Sequence, residues 1–267
     1  MRLASLCTAA LGMFGLVMAT PAAAQNMMQH VDLTSPEMTA AEMTRPDVEA
    51  MVAAANLTKP ADFTGRKLSG LDLSGLDLSG AVLRAARLNR TKLTNAKLDR
   101  AILDQAWLLE ADLSGASLRG ANIFAAQMQR AKLDGADLSG ARIAADLTGA
   151  SLVGAVLTGA NLGADMKNQS MGLMRAVLKS ANLDRAVLRD ADLSRVDLEF
   201  ASLRNADLTN ASLRGAALGG ANLSGASVAG ADFDGADLAS TRLVAPIGLD
   251  TAKNFDKAQS IERLLRE

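Results

Sequence analysis

Few side chains in this chain could carry acid–base or nucleophilic chemistry. Among its 267 residues there is one histidine, His30, one cysteine, Cys7, and no tyrosine. A Ser–His–Asp or Cys–His arrangement needs a histidine beside its nucleophile, and zinc sites usually combine several histidine and cysteine ligands. Carboxylates and hydroxyls are abundant, but they recur at regular intervals instead of clustering. We therefore expect no enzyme activity, no cofactor and no metal site.

Methionine offers the other metal-binding hypothesis, because Cu(I) prefers soft thioether ligands. The candidate ligands form two groups, Met27, Met28 and His30 near the N-terminus and Met166, Met171 and Met174 further along. Methionine more often fills gaps in apolar packing, so we assign neither group a metal.

A repeat of five residues must position most of the side chains between residues 61 and 244. Its central residues recur every five positions from Phe63 to Ile143 and again from Leu173 to Leu243, and all 32 are apolar, 26 of them Leu. This period matches neither a helix face nor a simple strand. An alanine usually stands two positions before the centre, and residues two apart point to the same side of an extended backbone. We expect both to face a shared core while the next three residues turn the chain.

The repeat resembles the A(D/N)LXX consensus of the pentapeptide repeat family. Ala-Asp-Leu-Ser-Gly stands at 111–115 and at 136–140, and Ala-Asn-Leu-Ser-Gly stands at 221–225. The resemblance implies an all-β fold, a right-handed quadrilateral β-helix with four units, or 20 residues, in each coil. Glycine at the last position of many units, such as Gly65 and Gly115, suits corners that need positive φ.

Outward charges support the 20-residue coil independently of the resemblance. Positions just before the centre, taken every 20 residues, are Asp72, Lys92, Asp112 and Lys132. Coils stack about 4.8 Å apart, so opposite charges would alternate along the rod as neighbouring strands prefer. In the same register, Arg175 and Arg195 would be like-charged neighbours.

The repeat changes register between residues 144 and 172. After Ile143 the centres come one residue early, at Leu147, Leu152, Leu157 and Leu162. Residues 163–172 then break the pattern. One interpretation is a tolerated corner deletion followed by a surface loop. The other is an interaction loop, with the candidate residues Met166, Lys167, Asn168, Gln169 and Met171.

The two ends of the chain lack the repeat. Residues 1–24 have the charge, apolar run and Ala-x-Ala site of a secretory signal peptide, with cleavage expected after Ala24. This predicts a periplasmic or secreted protein without a membrane span after cleavage. Residues 25–59 are expected to form a tail and a helical cap, residues 60–246 the β-helix, and residues 247–267 a second helical cap. Helices are expected after Ser35, after Pro46 and over residues 256–266.

One outward patch is apolar and predicts a surface for a partner or for a homodimer. It consists of Val82, Ile102, Trp107, Leu109 and Phe124. The alternative is that residues 25–59 or the interrupting loop cover it.

Three functions are compatible with these features. The preferred one is a non-catalytic scaffold or protein-interaction module of the bacterial periplasm or cell envelope, bound to an unknown envelope protein. The second is the DNA-mimic role known within the family, in which the rod occupies the DNA site of a topoisomerase. Dense negative charge is needed to replace phosphates, whereas residues 25–267 have 27 basic and 29 acidic residues, so we expect no nucleic-acid mimicry or binding. The third is an envelope-glycan binder that uses Trp107.

Overall fold

The computed structural model describes residues 32–56, 58–164 and 174–266. The chain divides after Leu33 into two compact units, and everything below concerns the unit that begins at Thr34. Its pentapeptide units stack as an all-β solenoid with four faces. Among the described residues, two segments are long enough to count as strands, β1 (Asn122–Gln127) and β2 (Arg142–Asp146), and they pair in parallel. Elsewhere each described repeat unit contributes a single bridging residue, because its extended part is so short.

Four columns of outward residues define the faces. Each column consists of the residues just before the centres, joined from coil to coil by parallel bridges. Face 1 begins Asp62, Val82, Ile102, face 2 begins Lys67, Arg87, Trp107, face 3 begins Asp72, Lys92, Asp112, and face 4 begins Asp77, Lys97, Ser117. The spacing of 20 residues confirms the coil length expected from the sequence.

The same hydrogen bonds join each coil to the next. The N–H of Leu78 donates to the carbonyl of Lys97 (2.7 Å), and the N–H of Gly80 donates to the carbonyl of Asp99 (2.8 Å). A third bond returns from the N–H of Lys97 to the carbonyl of Leu76 (2.8 Å). The centres and their alanines fill the interior, and Leu118 is fully buried. Stability in such a stack comes from contacts between neighbouring coils.

Corner residues adopt the left-handed conformation, whether or not they are glycine. Gly65 and Gly135 have φ of +67° and +66°, as expected for residues without a Cβ. Arg90, Asn95 and Phe200 have almost the same angle, with φ of 55° to 58°. Non-glycine residues pay a local penalty in this region, so the stack must hold these corners in place.

The register change is a short coil followed by an insertion at one corner. The unit that follows Ile143 is one residue short, so the bridges across it join positions 19 apart, as in Lys132 with Ser151. The next bridges join positions 31 apart, as in Asp146 with Val177. The N–H of Ala176 donates to the carbonyl of Leu162 (3.0 Å), as if the units were consecutive. All four columns therefore continue past the insertion.

The insertion also changes two expectations about register. Leu173, the expected start of the second run, lies outside the described residues, and the described stack resumes at Ala176. Arg175 and Arg195 are not stacked neighbours, because the N–H of Ala164 donates to the carbonyl of Ser194 (3.0 Å) and places Ala164 below Arg195.

Two helices lie against the first coil. They are α1 (Pro36–Thr39) and α2 (Arg45–Ala53), both at the places expected from the sequence. Thr44 forms a capping box with Asp47 at the start of α2. Val48 is fully buried in the apolar core, and Met51, Val52 and Ala55 pack against that core.

The C-terminal segment differs from the expected helix. Instead it forms three 3-10 turns, Leu249–Thr251, Phe255–Lys257 and Ile261–Arg263, within one further coil. Its bridging residues are six apart, namely Ile247, Lys253, Gln259 and Leu265. Phe255 packs edge-on against Phe233, with ring centroids 5.3 Å apart. The apolar spacing in this segment reflects a six-residue coil unit.

Candidate interaction surface

The predicted apolar patch is divided between two faces. Val82 and Ile102 are bridged neighbours on face 1, and both are half-buried. Trp107 belongs to face 2, between Arg87 and Gln127, and is also half-buried. Four of the five predicted residues therefore retain some exposure, but the corner between the faces separates Trp107 from the others.

Leu109 does not belong to the accessible patch. Its residual exposure is 7%, and its N–H donates to the side-chain oxygen of Asn89 (3.0 Å). The Asn89 amide nitrogen in turn donates to the carbonyl of Met38 (3.0 Å). The segment around α1 therefore covers this end of the patch, which corrects the prediction for Leu109.

Phe124 lies on face 1, one coil after Ile102, and a cation contacts its ring. The Arg142 guanidinium lies 5.0 Å from the centre of its ring, a cation–π arrangement. Below it, Arg84 lies 3.5 Å from the Asp104 carboxylate. Charged groups thus frame the half-buried apolar side chains, as at the rim of many protein interfaces.

A charged ladder runs along the corner beside Trp107. Glu110 accepts from Arg90 (2.9 Å) and from Arg130 (2.6 Å), its neighbours one coil away on either side. These hydrogen bonds hold the pKa of Glu110 below its usual value. The carboxylate is a paired structural group, so it is a poor proton donor or acceptor for catalysis near neutral pH.

Most aspartates and asparagines before the centres have a local role. The side chain of Asp112 accepts from the N–H of Ser114 (3.0 Å), and that of Asn222 accepts from the N–H of Ser224 (3.0 Å). Such short-range bonds are typical of turns. These side chains therefore shape the corners.

Acidic and basic side chains are balanced on every face. Each face carries four or five acidic and four to six basic residues within the described repeat units. On face 1, for example, the charged residues are Asp62, Arg84, Asp104, Arg142, Asp192, Arg195, Arg214, Asp232 and Asp234. Consequently none of the four described faces is a continuous acidic surface.

Phe200 is the main exposed residue that the sequence pattern did not single out. It has 63% of its surface exposed and occupies a left-handed corner, where its ring lies over Gly220. Lys179 lies 5.7 Å from the ring centre. An aromatic residue at the last position of a unit was the available signal, because glycine or a polar residue usually stands there.

The other candidate residues in the described part of the chain do not form a recognisable metal or membrane-spanning site. Within the described residues, no group of three or more His, Cys, Asp or Glu side chains is arranged to hold a metal. None of the described helices meets the length and hydropathy that crossing a bilayer requires. The signal-peptide residues and the loop candidates Met166, Lys167, Asn168, Gln169 and Met171 lie outside the described residues.

Comparison with known proteins adds a family match. The model for pentapeptide repeats matches eight copies, in residues 67–105, 108–140, 143–167, 173–210 and 211–244. No curated protein matches the chain.

Several solved pentapeptide repeat proteins are similar to this chain. HetL, involved in heterocyst differentiation regulation in the cyanobacterium Nostoc, is 31% identical over 81% of this chain and 94% of its own, with a TM-score of 0.39. QnrB1, a plasmid-mediated fluoroquinolone resistance protein, is 17% identical over 72% of this chain and 88% of its own, with a TM-score of 0.45. Rfr23 from the cyanobacterium Cyanothece is 26% identical over 44% of this chain and 64% of its own, with a TM-score of 0.24. The family model for pentapeptide repeats matches more than half of this chain, which shows that the chain belongs to the pentapeptide repeat family.

Proposed function

We propose that this protein is a non-catalytic scaffold or interaction module of the bacterial periplasm or cell envelope. The observation that carries the proposal is the filled interior, where Leu and Ala side chains occupy the space enclosed by the coils. Binding is therefore left to the outer faces and the ends of the rod. Partially exposed apolar side chains on faces 1 and 2, together with Phe200, are the contact candidates for an envelope protein.

Three finer features belong to the same proposal. The rod is right-handed, as the family resemblance implies. Helices α1 and α2 protect the first coil, and the six-residue coil protects the other end, because open strand edges invite aggregation. The sequence of residues 1–24 directs the chain to the envelope, and cleavage after Ala24 releases it.

The alternatives have weaker support. DNA mimicry needs a dense acidic surface, and the balanced charge of the four faces provides none. A glycan-binding role rests on Trp107 and its polar neighbours Arg87 and Gln127, since aromatic rings with adjacent hydrogen-bonding groups suit sugar surfaces. A homodimer through the remaining face 1 patch is a further possibility for the partner.

Fractionation and partner capture test the proposal together. The full chain should be processed after Ala24 and recovered in the periplasmic fraction. Immobilised residues 25–267 should then capture a specific envelope protein, and Trp107→Ala or Phe200→Ala should weaken capture, whereas Lys132→Ala on face 3 should not. An unprocessed cytoplasmic chain, or capture unchanged in both aromatic variants, would contradict the proposal.

A further inference from the structure

The first coil has backbone N–H and carbonyl groups at its lower edge that, in every later coil, are bonded to the coil below. In later coils, the carbonyls just before and just after each centre accept N–H groups from the coil below, as Lys97 and Asp99 do from Leu78 and Gly80. The N–H before each centre donates downward to that coil. Because the first coil has no coil below it, each of its faces presents one donor and two acceptors at the edge.

Segments of the N-terminal region replace the missing coil on faces 2 and 3. On face 2, the N–H of Glu42 donates to the carbonyl of Lys67 (2.9 Å), and Ala41 forms an antiparallel bridge with Leu68. On face 3, the Arg45 guanidinium donates to the carbonyls of Asp72 (3.1 Å) and Ser74 (3.2 Å). One side chain thus takes the place of two backbone N–H groups.

Face 4 has the same edge without such a substitute. No described residue donates a hydrogen bond to the carbonyl of Asp77 or of Ser79, and none accepts one from the N–H of Asp77. These three groups border an open groove of about 520 Å³. The groove, called here the face 4 groove, is lined mainly by small and apolar residues, among them Val52, Ala55, Pro60, Leu78 and Ala81.

The charge pattern indicates what an occupant should carry. On face 3, Asp72 has Lys92 above it at 3.9 Å and Arg45 below it at 3.9 Å. On face 4, Asp77 has Lys97 above it at 3.6 Å, and none of the ion pairs of the described residues joins it to a cation below. A basic side chain from below would complete the same alternation.

We propose that the face 4 groove binds an extended peptide of a partner protein by strand addition. Two backbone N–H groups, two residues apart, donate to the carbonyls of Asp77 and Ser79, in the register that the rod uses between its own coils. The peptide pattern is small apolar, basic, large apolar, so that the basic residue faces Asp77 and the apolar residues enter the groove. Strand addition to an exposed edge is a common mode of peptide recognition. The site is at the end of the rod and does not depend on the face 1 and face 2 contacts.

A defined peptide and its methylated control test the site. The probe is Ser-Ala-Lys-Leu-Thr-Gly-Ser with blocked ends, titrated into residues 25–267 and followed by amide chemical shifts. We expect shifts centred on residues 77–81. N-methylation of the peptide Leu and Gly removes the two donors and should weaken binding at least tenfold.

Two protein variants locate the binding independently. Ala55→Glu places a carboxylate beside the open carbonyls and should weaken the probe at least tenfold, whereas Ala53→Glu adds the same charge at an exposed position of α2 and should not. Trp107→Ala should leave peptide binding unchanged, so this site and the proposed envelope function can fail separately. Absence of binding, equal affinity of the methylated peptide, or self-association of the protein through this edge would overturn the proposal.

Discussion

At the scale of single residues, Asp and Asn side chains accept the N–H that follows a centre in two ways. In many units it donates to an Asp or Asn of the same unit, as the N–H of Ser114 does to Asp112. In others, an Asp or Asn from the coil before supplies the acceptor. Asp184 accepts from the N–H of Arg204 in this way, and Asn89 accepts from the N–H of Leu109. The second device ties residues about 20 apart and therefore helps to fix the register between coils.

Asp184 gives the sharpest test of this device. Its carboxylate accepts from the Ser202 hydroxyl (2.5 Å), the Arg204 N–H (3.1 Å) and the Arg204 guanidinium (2.5 Å). Asp184→Ala should lower the free energy of unfolding by about 1–3 kcal/mol, because the hydrogen bonds to a charged and nearly buried acceptor are lost. Asp184→Asn keeps a side-chain oxygen for the first two donors and should cost less. Equal losses in urea melts of both variants would argue against the register role.

Paired carboxylates also predict a pH dependence of stability. Hydrogen bonds from Ser79 lower the pKa of Asp77, and those from Arg90 and Arg130 lower the pKa of Glu110. A depressed pKa in the folded state means that the stabilisation is present above the unfolded pKa and is lost as pH falls through the folded one. The melting temperature should therefore be nearly constant from pH 7 to about pH 5 and fall below about pH 4. A melting temperature that rises on acidification would contradict this assignment.

At the scale of the elements, the coil is a set of short extended segments joined by left-handed corners. Stacking makes neighbouring corners interdependent, since a side chain on one corner occupies space over the next. Asn205 lies over Gly225 in this way, and Phe200 lies over Gly220. Where a corner side chain lies over the next corner in this way, glycine stands there, because a Cβ would overlap with it. Elsewhere two corners with side chains stack, as Glu110 does on Arg90.

Gly248 tests how tightly the last coil is built. It has φ of +74°, and an added Cβ would lie 2.6 Å from the Ala229 Cβ and 2.9 Å from the Ala229 Cα. Gly80 has a similar φ of +69° with open space around it. Gly80→Ala should cost about 1 kcal/mol for the conformation alone. Gly248→Ala should cost about 2–4 kcal/mol because overlap with the fixed backbone is added. Equal thermal destabilisation of the two variants would show that the last coil is looser than described.

The elements also show where sequence patterns stop being informative. The five-residue period predicted stacked coils with Leu and Ala inside, because residues two apart in an extended segment point to the same side. The number of four units in each coil was implied by the family resemblance and supported by the alternating charge columns. The C-terminal segment was harder, since Ile261, Leu264 and Leu265 fit a helix face as well as a coil. The six-residue spacing of Leu249, Phe255 and Ile261 was the available clue. Cover of the apolar patch by residues 25–59 was one of the alternatives that the sequence left open. That it would reach Leu109 was not predictable, because the contact runs from Met38 through the Asn89 side chain.

At the scale of the whole molecule, the columns continue across the insertion. The two parts of the repeat form one stack because Ala176 follows Leu162 in the hydrogen-bond pattern. A corner can accept an insertion at low cost, since only the turn between two segments changes and the added closure entropy grows slowly with length. The rod therefore keeps its continuous outer faces on both sides of this position.

An engineered cross-link tests that continuity. Asp146 and Val177 are bridged neighbours on face 2, so their Cα atoms are about 5 Å apart and within the range for a disulfide. Asp146→Cys with Val177→Cys should cross-link on oxidation in the folded protein. Asp146→Cys with Asp197→Cys, two coils apart, should not. Cross-linking of the second pair alone would mean that the insertion shifts the register.

The most direct test of the fold is the accessibility of single cysteines across one unit. Residues 25–267 contain no cysteine, so each introduced thiol reports on its own position. Ala116→Cys and Leu118→Cys should react with a maleimide on the order of a hundred times more slowly than Ser117→Cys and Arg119→Cys, because a buried thiol reacts only after local opening. Equal labelling at all four positions, or rapid labelling at 118 in a protein that remains folded, would contradict a rod with a sealed leucine interior.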